Sequence, residues 1–107
     1  MWIPARLSHF LESSGVRYDV RFHRHSRSSA ETAHAAHVPP HLLAKPVVVE
    51  DETGSLLALV PADRFVMLGP LSELLGRRHL RLADEDRIAE LFPDCERGAV
   101  PAIGTPW

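Results

Sequence analysis

The sequence predicts a single α+β domain in which helices flank a β-sheet. Apolar residues recur at helical spacing in some segments and alternate with polar residues in others, so both kinds of element are expected. These segments interleave without the regular strand–helix–strand rhythm of a parallel sheet. The chain has 107 residues, 45% hydrophobic and 24% charged, which is enough for one core and ordinary for a globular protein.

The first part of the chain is predicted to form a helix, a strand and a second helix. Apolar residues at helical spacing place the first helix in residues 3–15. Residues 17–25 alternate between apolar and polar side chains, which is typical of a half-buried strand. Ser28 stands three residues before Glu31, the spacing of a capping box, so a helix begins there and has to end at Pro39.

The second part is predicted to hold a β-hairpin, two helices, a third strand and a loop. The hairpin pairs residues 45–51 with residues 55–61 around Gly54. The other predicted elements, in chain order, are a helix ending near Gly76, a strand in 79–83, a helix in 84–92 and a loop in 93–107. Acidic residues occupy the first turn of the last helix, where the helix dipole favours them.

Charge, cysteine content and apolar runs narrow the classes of function. The net charge of -2 gives no overall attraction to nucleic acid or membrane, so any such attraction has to come from a local patch. The single cysteine, Cys95, cannot form an internal disulfide, which favours a reducing compartment. Neither a membrane span nor the apolar core of a signal peptide is present. We therefore expect a cytoplasmic protein without membrane association.

The seven histidines raise the question of a metal site. His34, His37 and His41 are spaced three and four apart, but two prolines interrupt the helix before the third. His23 and His25 share a face of the predicted strand, yet no carboxylate or cysteine follows at a spacing typical of zinc sites. Histidines that contact water or other polar groups are the better interpretation, and we predict neither a metal nor a cofactor.

Two segments and one cysteine contain groups that could bind a ligand or react with it. Residues 17–27 carry four arginines and two histidines against one aspartate, which could bind phosphates, although a solvated strand face is the simpler interpretation. Residues 97–104 contain glycines whose exposed amides could hold a carbonyl or a phosphate, or could form only a connecting turn. Cys95 could be a nucleophile, but nothing near it in the sequence supports that role.

Four segments, taken in order, carry a specific pattern: "IPARLSHFLESSGVRYDV", "SSAETAHAAHVPPHLLAKPVVVED", "LLALVPADRFVML" and "LFPDCERGAVPAIG". Together they resemble the YbaK/ProX family, also called the prolyl-tRNA-synthetase-associated editing domain, over essentially the whole chain. The resemblance implies one domain in 1–107 with a mixed β-sheet or partly closed barrel flanked by helices. It also implies hydrolysis of the ester of a mischarged tRNA, carrying a small amino acid such as Ala or Cys on tRNA-Pro or a related tRNA.

The resemblance implies roles for particular residues. Lys45 matches a family lysine at the start of a strand that projects into the substrate pocket, where an ammonium can stay hydrated while reaching a phosphate or an ester. Gly98 begins the matching glycine-to-proline loop, so we predict Lys45 and Gly98 as catalytic. The predicted substrate-binding residues are Thr32, His34, His37, Val47, Val60, Ala99, Val100, Pro101, Ala102 and Gly104. The predicted tRNA-binding residues are Arg21, Arg24 and Arg27. A Lys45 that simply reaches water is the alternative.

Two departures from the family pattern leave alternatives open. Ala102 stands where the family usually has proline, although Pro101 is adjacent, so the rigidity of the loop is an open question. Family members usually continue beyond this loop into a further strand, whereas this sequence ends at Trp107. The chain is then a naturally short member, a truncated one, or one that a second copy completes; because an exposed sheet edge favours pairing with another chain, the last alternative predicts a homodimer. Besides a deacylase, a non-catalytic module that binds tRNA or an aminoacyl-tRNA synthetase is the alternative function.

Overall fold

A computed structural model describes residues 3–24, 26 and 28–107 of the chain. Within these residues it contains four α-helices, one 3-10 helix and three strands. In chain order they are α1 (Ala5–Ser13), α2 (Ser29–Ala35), the 3-10 helix (Pro40–Leu42), β1 (Ala44–Asp51), β2 (Gly54–Pro61), α3 (Leu68–Leu75), β3 (Arg81–Leu82) and α4 (Glu85–Leu91). The predicted α+β class is confirmed.

The three strands form an open antiparallel sheet in the order β2-β1-β3. The predicted hairpin is confirmed: β1 and β2 pair along their whole length, with Lys45 opposite Val60 and Asp51 opposite Gly54. Over the described residues the sheet does not close into a barrel. Because side chains alternate along a strand, neighbouring residues of β1 lie on opposite faces. One face carries Ala44, Pro46, Val48 and Glu50, and the other carries Lys45, Val47, Val49 and Asp51.

A buried carboxylate holds the tip of the hairpin. Asp51, whose side chain is 2% exposed, accepts hydrogen bonds from the backbone N–H of Thr53 at 2.8 Å and from its hydroxyl at 2.7 Å. Arg77, just after α3, donates to the same carboxylate from Nε at 2.7 Å and also from Nη2. The Nη2 of Arg77 also reaches Gly54 O at 2.7 Å. These contacts join the hairpin to the end of α3.

Two helix ends follow the predicted pattern, and a third has a cap of the same kind. Ser28 Oγ accepts from the N–H of Glu31 at 3.1 Å at the start of α2, as the capping-box spacing predicts. Asp84 caps α4 in the same way, accepting from the N–H of Arg87 at 2.8 Å. Gly76 ends α3 with a φ of +64°, a conformation that glycine adopts at little cost. Local chemistry therefore determines these three helix ends.

Helix α4 and the segment after it cover one face of the sheet. Arg87 Nε donates to Glu50 Oε1 at 3.0 Å, which connects α4 to β1. In the following segment, Trp107 Nε1 donates to Asp94 Oδ1 at 2.7 Å, and the Trp107 ring lies 5.4 Å from the buried Phe92 ring. Residues 93–107, predicted as a loop, therefore pack in an ordered way although they contain neither helix nor strand.

The predicted strand in residues 17–25 is wrong for its described part. Residues 17–24 form no strand, and the apolar side chains on their alternating face are exposed: Tyr18 45%, Val20 48% and Phe22 90%. Alternation favours an extended backbone, but a strand also needs a partner for its N–H and C=O groups, and no described residue pairs with this segment. His25 lies outside the described residues.

Across the described residues, no helix combines the length and apolar character needed to cross a membrane.

Candidate functional site

A cavity of about 530 Å³ lies where α2, the start of β1, α4 and the loop after α4 come together. It is bordered by side chains from each of these elements and by two residues that precede α2. The lining residues are His23, Ser26, Ser29, Thr32, Leu43, Ala44, Pro46, Glu85, Ile88, Glu96, Arg97, Gly98, Ala99, Val100 and Ala102. The cavity thus combines hydroxyl, carboxylate and imidazole groups with an apolar wall.

Hydroxyl groups join the segment before α2 to the helix itself. Thr32 Oγ1 donates its hydrogen to Ser28 O at 3.0 Å. Ser26 Oγ lies 2.5 Å from Thr32 Oγ1, and because the Thr32 hydrogen is already used, Ser26 is the donor in this pair. Thr32, predicted from the family resemblance, therefore lies in the cavity wall and fixes its neighbour Ser26.

The glycine loop lines the cavity and has two unpaired backbone amides. Gly98 has a φ of +78°, a region that residues with a Cβ rarely adopt. The N–H of Ala99 donates to Glu96 O at 2.9 Å, which closes a tight turn. Among the described residues, nothing accepts a hydrogen bond from the N–H of Gly98 or of Val100. These two amides are therefore available to a ligand oxygen.

His23 lines the cavity and was not among the residues that the sequence singled out as catalytic or substrate-binding. Its Nδ1 lies 2.7 Å from Arg24 O. A carbonyl oxygen can only accept, so Nδ1 carries the hydrogen, and in the neutral ring Nε2 keeps a free lone pair. His23 can therefore act as a proton acceptor. The sequence carries no signal for this role, because alternation places His23 only on the polar side of a segment.

Carboxylates dominate the charge of the cavity. Glu85 and Glu96 both lie in its lining, while the one lining arginine, Arg97, donates to Asp86 Oδ1 at 3.1 Å. That ion pair offsets the charge of Arg97. The cavity therefore suits a ligand that carries a cationic group as well as a carbonyl oxygen.

Lys45, predicted as catalytic, lies away from this cavity. Its Nζ donates to Arg64 O and stands 4.6 Å from the centroid of the exposed Phe65 ring, after the end of β2. Its neighbours Ala44 and Pro46 do line the cavity. Side chains alternate along β1, so residues 44 and 46 lie on the face toward the cavity and residue 45 lies on the opposite face.

The other predicted residues lie in several separate regions. Gly98, Ala99, Val100 and Ala102 line the main cavity with Thr32, whereas Pro101 is half-buried beside them and does not line it. Val47 and Val60 lie on the sheet face of Lys45. His34 and Arg24 line a separate depression, His37 is exposed beyond α2, and Gly104 borders an apolar cavity that includes Trp107. Arg21 is exposed outside these cavities, and Arg27 lies outside the described residues.

Two other chemistries receive little support from the geometry. Across the described part of the chain, no three His, Cys, Asp or Glu side chains are grouped as metal ligands would be. Burial raises the pKa of the Cys95 thiol, and the charge of Asp94 acts in the same direction. The thiol is therefore kept protonated, whereas a cysteine nucleophile needs the thiolate.

Two solved structures share this fold. The hypothetical protein APE2540 superposes with a TM-score of 0.71 at 23% identity, over 80% of this chain and 58% of that one. A protein assigned provisionally as a trans-editing enzyme for prolyl tRNA synthetase gives a TM-score of 0.66 at 25% identity, over 88% and 60%. The chain thus spans about three fifths of the length of these neighbours. Among proteins with curated functions, none matches the sequence.

The chain also matches a protein family over most of its length. A family model described as the aminoacyl-tRNA editing domain matches residues 23–107. That range includes His23, the β-hairpin and the glycine loop, and so contains every wall of the main cavity. The resemblance inferred from the sequence is confirmed, and the chain belongs to the aminoacyl-tRNA editing domain family.

Proposed function

We propose that the chain is an aminoacyl-tRNA deacylase that hydrolyses the ester of a mischarged tRNA. The amino acid is small, such as Ala or Cys, and the carrier is tRNA-Pro or a related tRNA. The observation that carries the proposal is the main cavity, whose lining brings Gly98 and Val100, with their unpaired amides, together with His23. Membership in the editing family supports the same reaction class.

The reaction needs two hydrogen-bond donors and one proton acceptor around the ester. Water attacks the carbonyl carbon, the bond from that carbon to the ribose oxygen breaks, and the products are the free amino acid and a tRNA with a free terminal hydroxyl. The N–H groups of Gly98 and Val100 donate to the oxygen that becomes negative in the tetrahedral intermediate. His23 Nε2 accepts a proton from the attacking water and returns it to the departing ribose oxygen.

Recognition of the amino acid uses the charge and the size of the cavity. The aminoacyl group carries an α-ammonium, which the carboxylate of Glu96 attracts. The apolar wall, formed by residues such as Leu43, Pro46 and Val100, accepts a small side chain. Discrimination by volume amounts to about 1–3 kcal/mol per methylene, so the enzyme separates amino acids of similar size only modestly.

The catalytic role of Lys45 stays a prediction. Its ammonium lies at Arg64 O and Phe65, beside a strand whose preceding and following residues border the cavity. A lysine has four rotatable side-chain bonds, so its ammonium can reach a phosphate at the cavity rim after leaving these two contacts. In this role Lys45 anchors the end of the tRNA and the glycine loop performs the chemistry.

A non-catalytic module that binds tRNA or a synthetase is the second candidate. The observation that favours it is the engagement of Lys45 with Arg64 and Phe65, because a lysine that keeps these contacts takes no part in a reaction at the ester. Such a module binds uncharged tRNA and leaves the ester intact. The two candidates therefore differ in turnover rather than in affinity.

A panel of mischarged tRNAs, assayed for release of the amino acid, tests the proposal. We expect turnover of alanyl- or cysteinyl-tRNA, and a loss of about 10²-fold or more in His23→Gln, the scale expected for a positioned base. His79→Gln is the matched control, because His79 is exposed between α3 and β3 and outside the cavity. Binding of uncharged tRNA without hydrolysis of any ester would establish the module instead.

A further inference from the structure

A second depression adjoins the main cavity on the other side of α2. Its volume is about 480 Å³, and its lining residues are Arg24, Ser26, Ala30, Glu31, His34 and Ala35. Neither the family match nor the structural neighbours assign a role to this surface. Its position and its polar groups identify the kind of ligand it accepts.

Helix α2 separates the two concavities, and Ser26 connects them. Ser29 and Thr32 line the main cavity, whereas Ala30 and His34, four residues apart and therefore on one face of the helix, line the depression. Ser26 lines both, and its hydrogen bond to Thr32 at 2.5 Å holds it at their junction. An extended ligand in the main cavity can therefore continue past Ser26 into the depression.

The polar groups of the depression suit an anion. Arg24 offers a planar guanidinium with several N–H donors, and no carboxylate of the described residues forms an ion pair with it. His34 adds an imidazole donor, whereas the hydroxyl hydrogen of Ser26 is already used in its bond to Thr32. Glu31 also lines the depression. With one guanidinium and one imidazole, the donors of the depression fit one phosphodiester better than a polyphosphate.

We propose that the depression binds a phosphodiester of the RNA strand that carries the ester. The inference rests on the proposed function, because the ester in the main cavity is what directs its own strand past Ser26. Arg24 pairs with the phosphate by two parallel hydrogen bonds, and His34 donates to another phosphate oxygen. The depression is thus a backbone subsite that adds affinity and positions the ester without reading the base sequence.

Binding of an uncharged RNA hairpin with an unpaired 3′ strand, measured over a series of KCl concentrations, tests this subsite. We expect Arg24→Gln to weaken binding about 10-fold near 0.1 M salt and to flatten the plot of log K against log salt by about 0.7, the loss of one phosphate contact on a single strand. His34→Gln weakens binding less. Arg78→Gln, an exposed arginine outside both concavities, is the matched control and leaves affinity and slope unchanged.

A salt slope for Arg24→Gln equal to that of the wild type overturns the proposal, and so does the absence of RNA binding by the wild type. Hydrolysis supplies a second test: Arg24→Gln should lower kcat/KM about 10-fold for an aminoacyl-RNA and leave an aminoacyl-adenosine, which has no phosphate, unchanged. Equal loss on both substrates also overturns the subsite. If the wild type hydrolyses neither substrate, the deacylase proposal fails, and the binding of uncharged RNA still decides the subsite.

Discussion

The ammonium of Lys45 lies 4.6 Å from the centroid of the Phe65 ring and donates a hydrogen bond to the carbonyl oxygen of Arg64. Both contacts come from the segment that follows β2. The Phe65 ring is 86% exposed, so one of its faces meets the cation and much of the rest meets solvent. A cation over an exposed aromatic ring contributes about 0.5–1 kcal/mol, too little to prevent Lys45 from leaving for a stronger anionic partner.

The first prediction concerns the function of Lys45. We expect Lys45→Ala to lower kcat/KM for a mischarged tRNA by about 10-fold or more, because a hydrogen bond to a charged phosphate contributes about 1.5–3 kcal/mol. Circular dichroism should stay unchanged. Phe65→Leu is the control, since it removes the ring and keeps the ammonium. Full activity in Lys45→Ala, or equal losses in the two variants, would assign Lys45 to holding the segment after β2.

The second prediction concerns stability at acid pH. The hydrogen bond from Arg77 holds the pKa of Asp51 well below its usual range, and the hydrogen bonds from Thr53 act in the same direction. Because the folded-state pKa is lowered, this stabilisation is complete above the ordinary aspartate pKa of about 4 and is lost as the pH falls toward the folded-state value. We therefore expect Asp51→Asn to lower Tm by several degrees at pH 7.

The difference in Tm between wild type and Asp51→Asn should narrow as the pH falls from 5 to 3, which thermal unfolding at several pH values measures. Asp63→Asn is the matched control, because Asp63 is exposed and no ion pair of the described residues includes it. A constant difference across this pH range would mean that the charge of Asp51 does not stabilise the fold.

The elements that the sequence predicted correctly are those determined by short-range chemistry. The hairpin around Gly54, the cap at Ser28 and the helix end at Gly76 each depend on residues within a few positions of one another. Residues 17–24 have an equally clear local pattern and still form no strand. Alternation shows only that a segment is suited to be one strand of a pair. Whether a partner strand lies beside it depends on the rest of the sheet.

The candidate site was predictable only where the family motif and the cavity coincide. Thr32 and the loop from Gly98 to Ala102 were named from the sequence and lie together. Lys45 was named for its position at the start of β1, and the alternation of that strand turns it away from the cavity. His23 and Ser26 reach the site through the packing of the segment before α2, which no periodicity in the sequence encodes.

The third prediction compares two glycines. Gly98 has a φ of +78° and no heavy atom within 4 Å of an added Cβ, so the cost of Gly98→Ala comes from the backbone conformation alone. We expect a loss of about 1–2 kcal/mol, together with lower activity because the Gly98 and Val100 amides move. Gly69→Ala is the control: Gly69 lies in α3, also has open space and lacks a positive φ, while Pro70 behind it opposes the gain that alanine usually brings in a helix, so stability should change less than in Gly98→Ala.

Urea unfolding measures both glycine variants, and deacylation of alanyl-tRNA measures the consequence for the loop. A larger loss of stability in Gly98→Ala than in Gly69→Ala, with activity lost only in Gly98→Ala, is the expected result. An active Gly98→Ala of wild-type stability would mean that the left-handed turn is unnecessary for the amides to point into the cavity.

The last prediction locates the wall that selects the amino acid. Val100 lines the main cavity, and Val60 lies on the opposite face of the sheet. Both side chains are half-buried, and substitution by alanine shortens both by the same amount. Because a methylene in such a wall changes discrimination by about 1–3 kcal/mol, Val100→Ala should raise the rate for a larger aminoacyl ester relative to alanyl-tRNA by about 10-fold. Val60→Ala should leave that ratio unchanged. Competition between valyl- and alanyl-tRNA in one reaction measures the ratio directly, and a change confined to Val60→Ala would place the acyl pocket on the Lys45 face of the sheet.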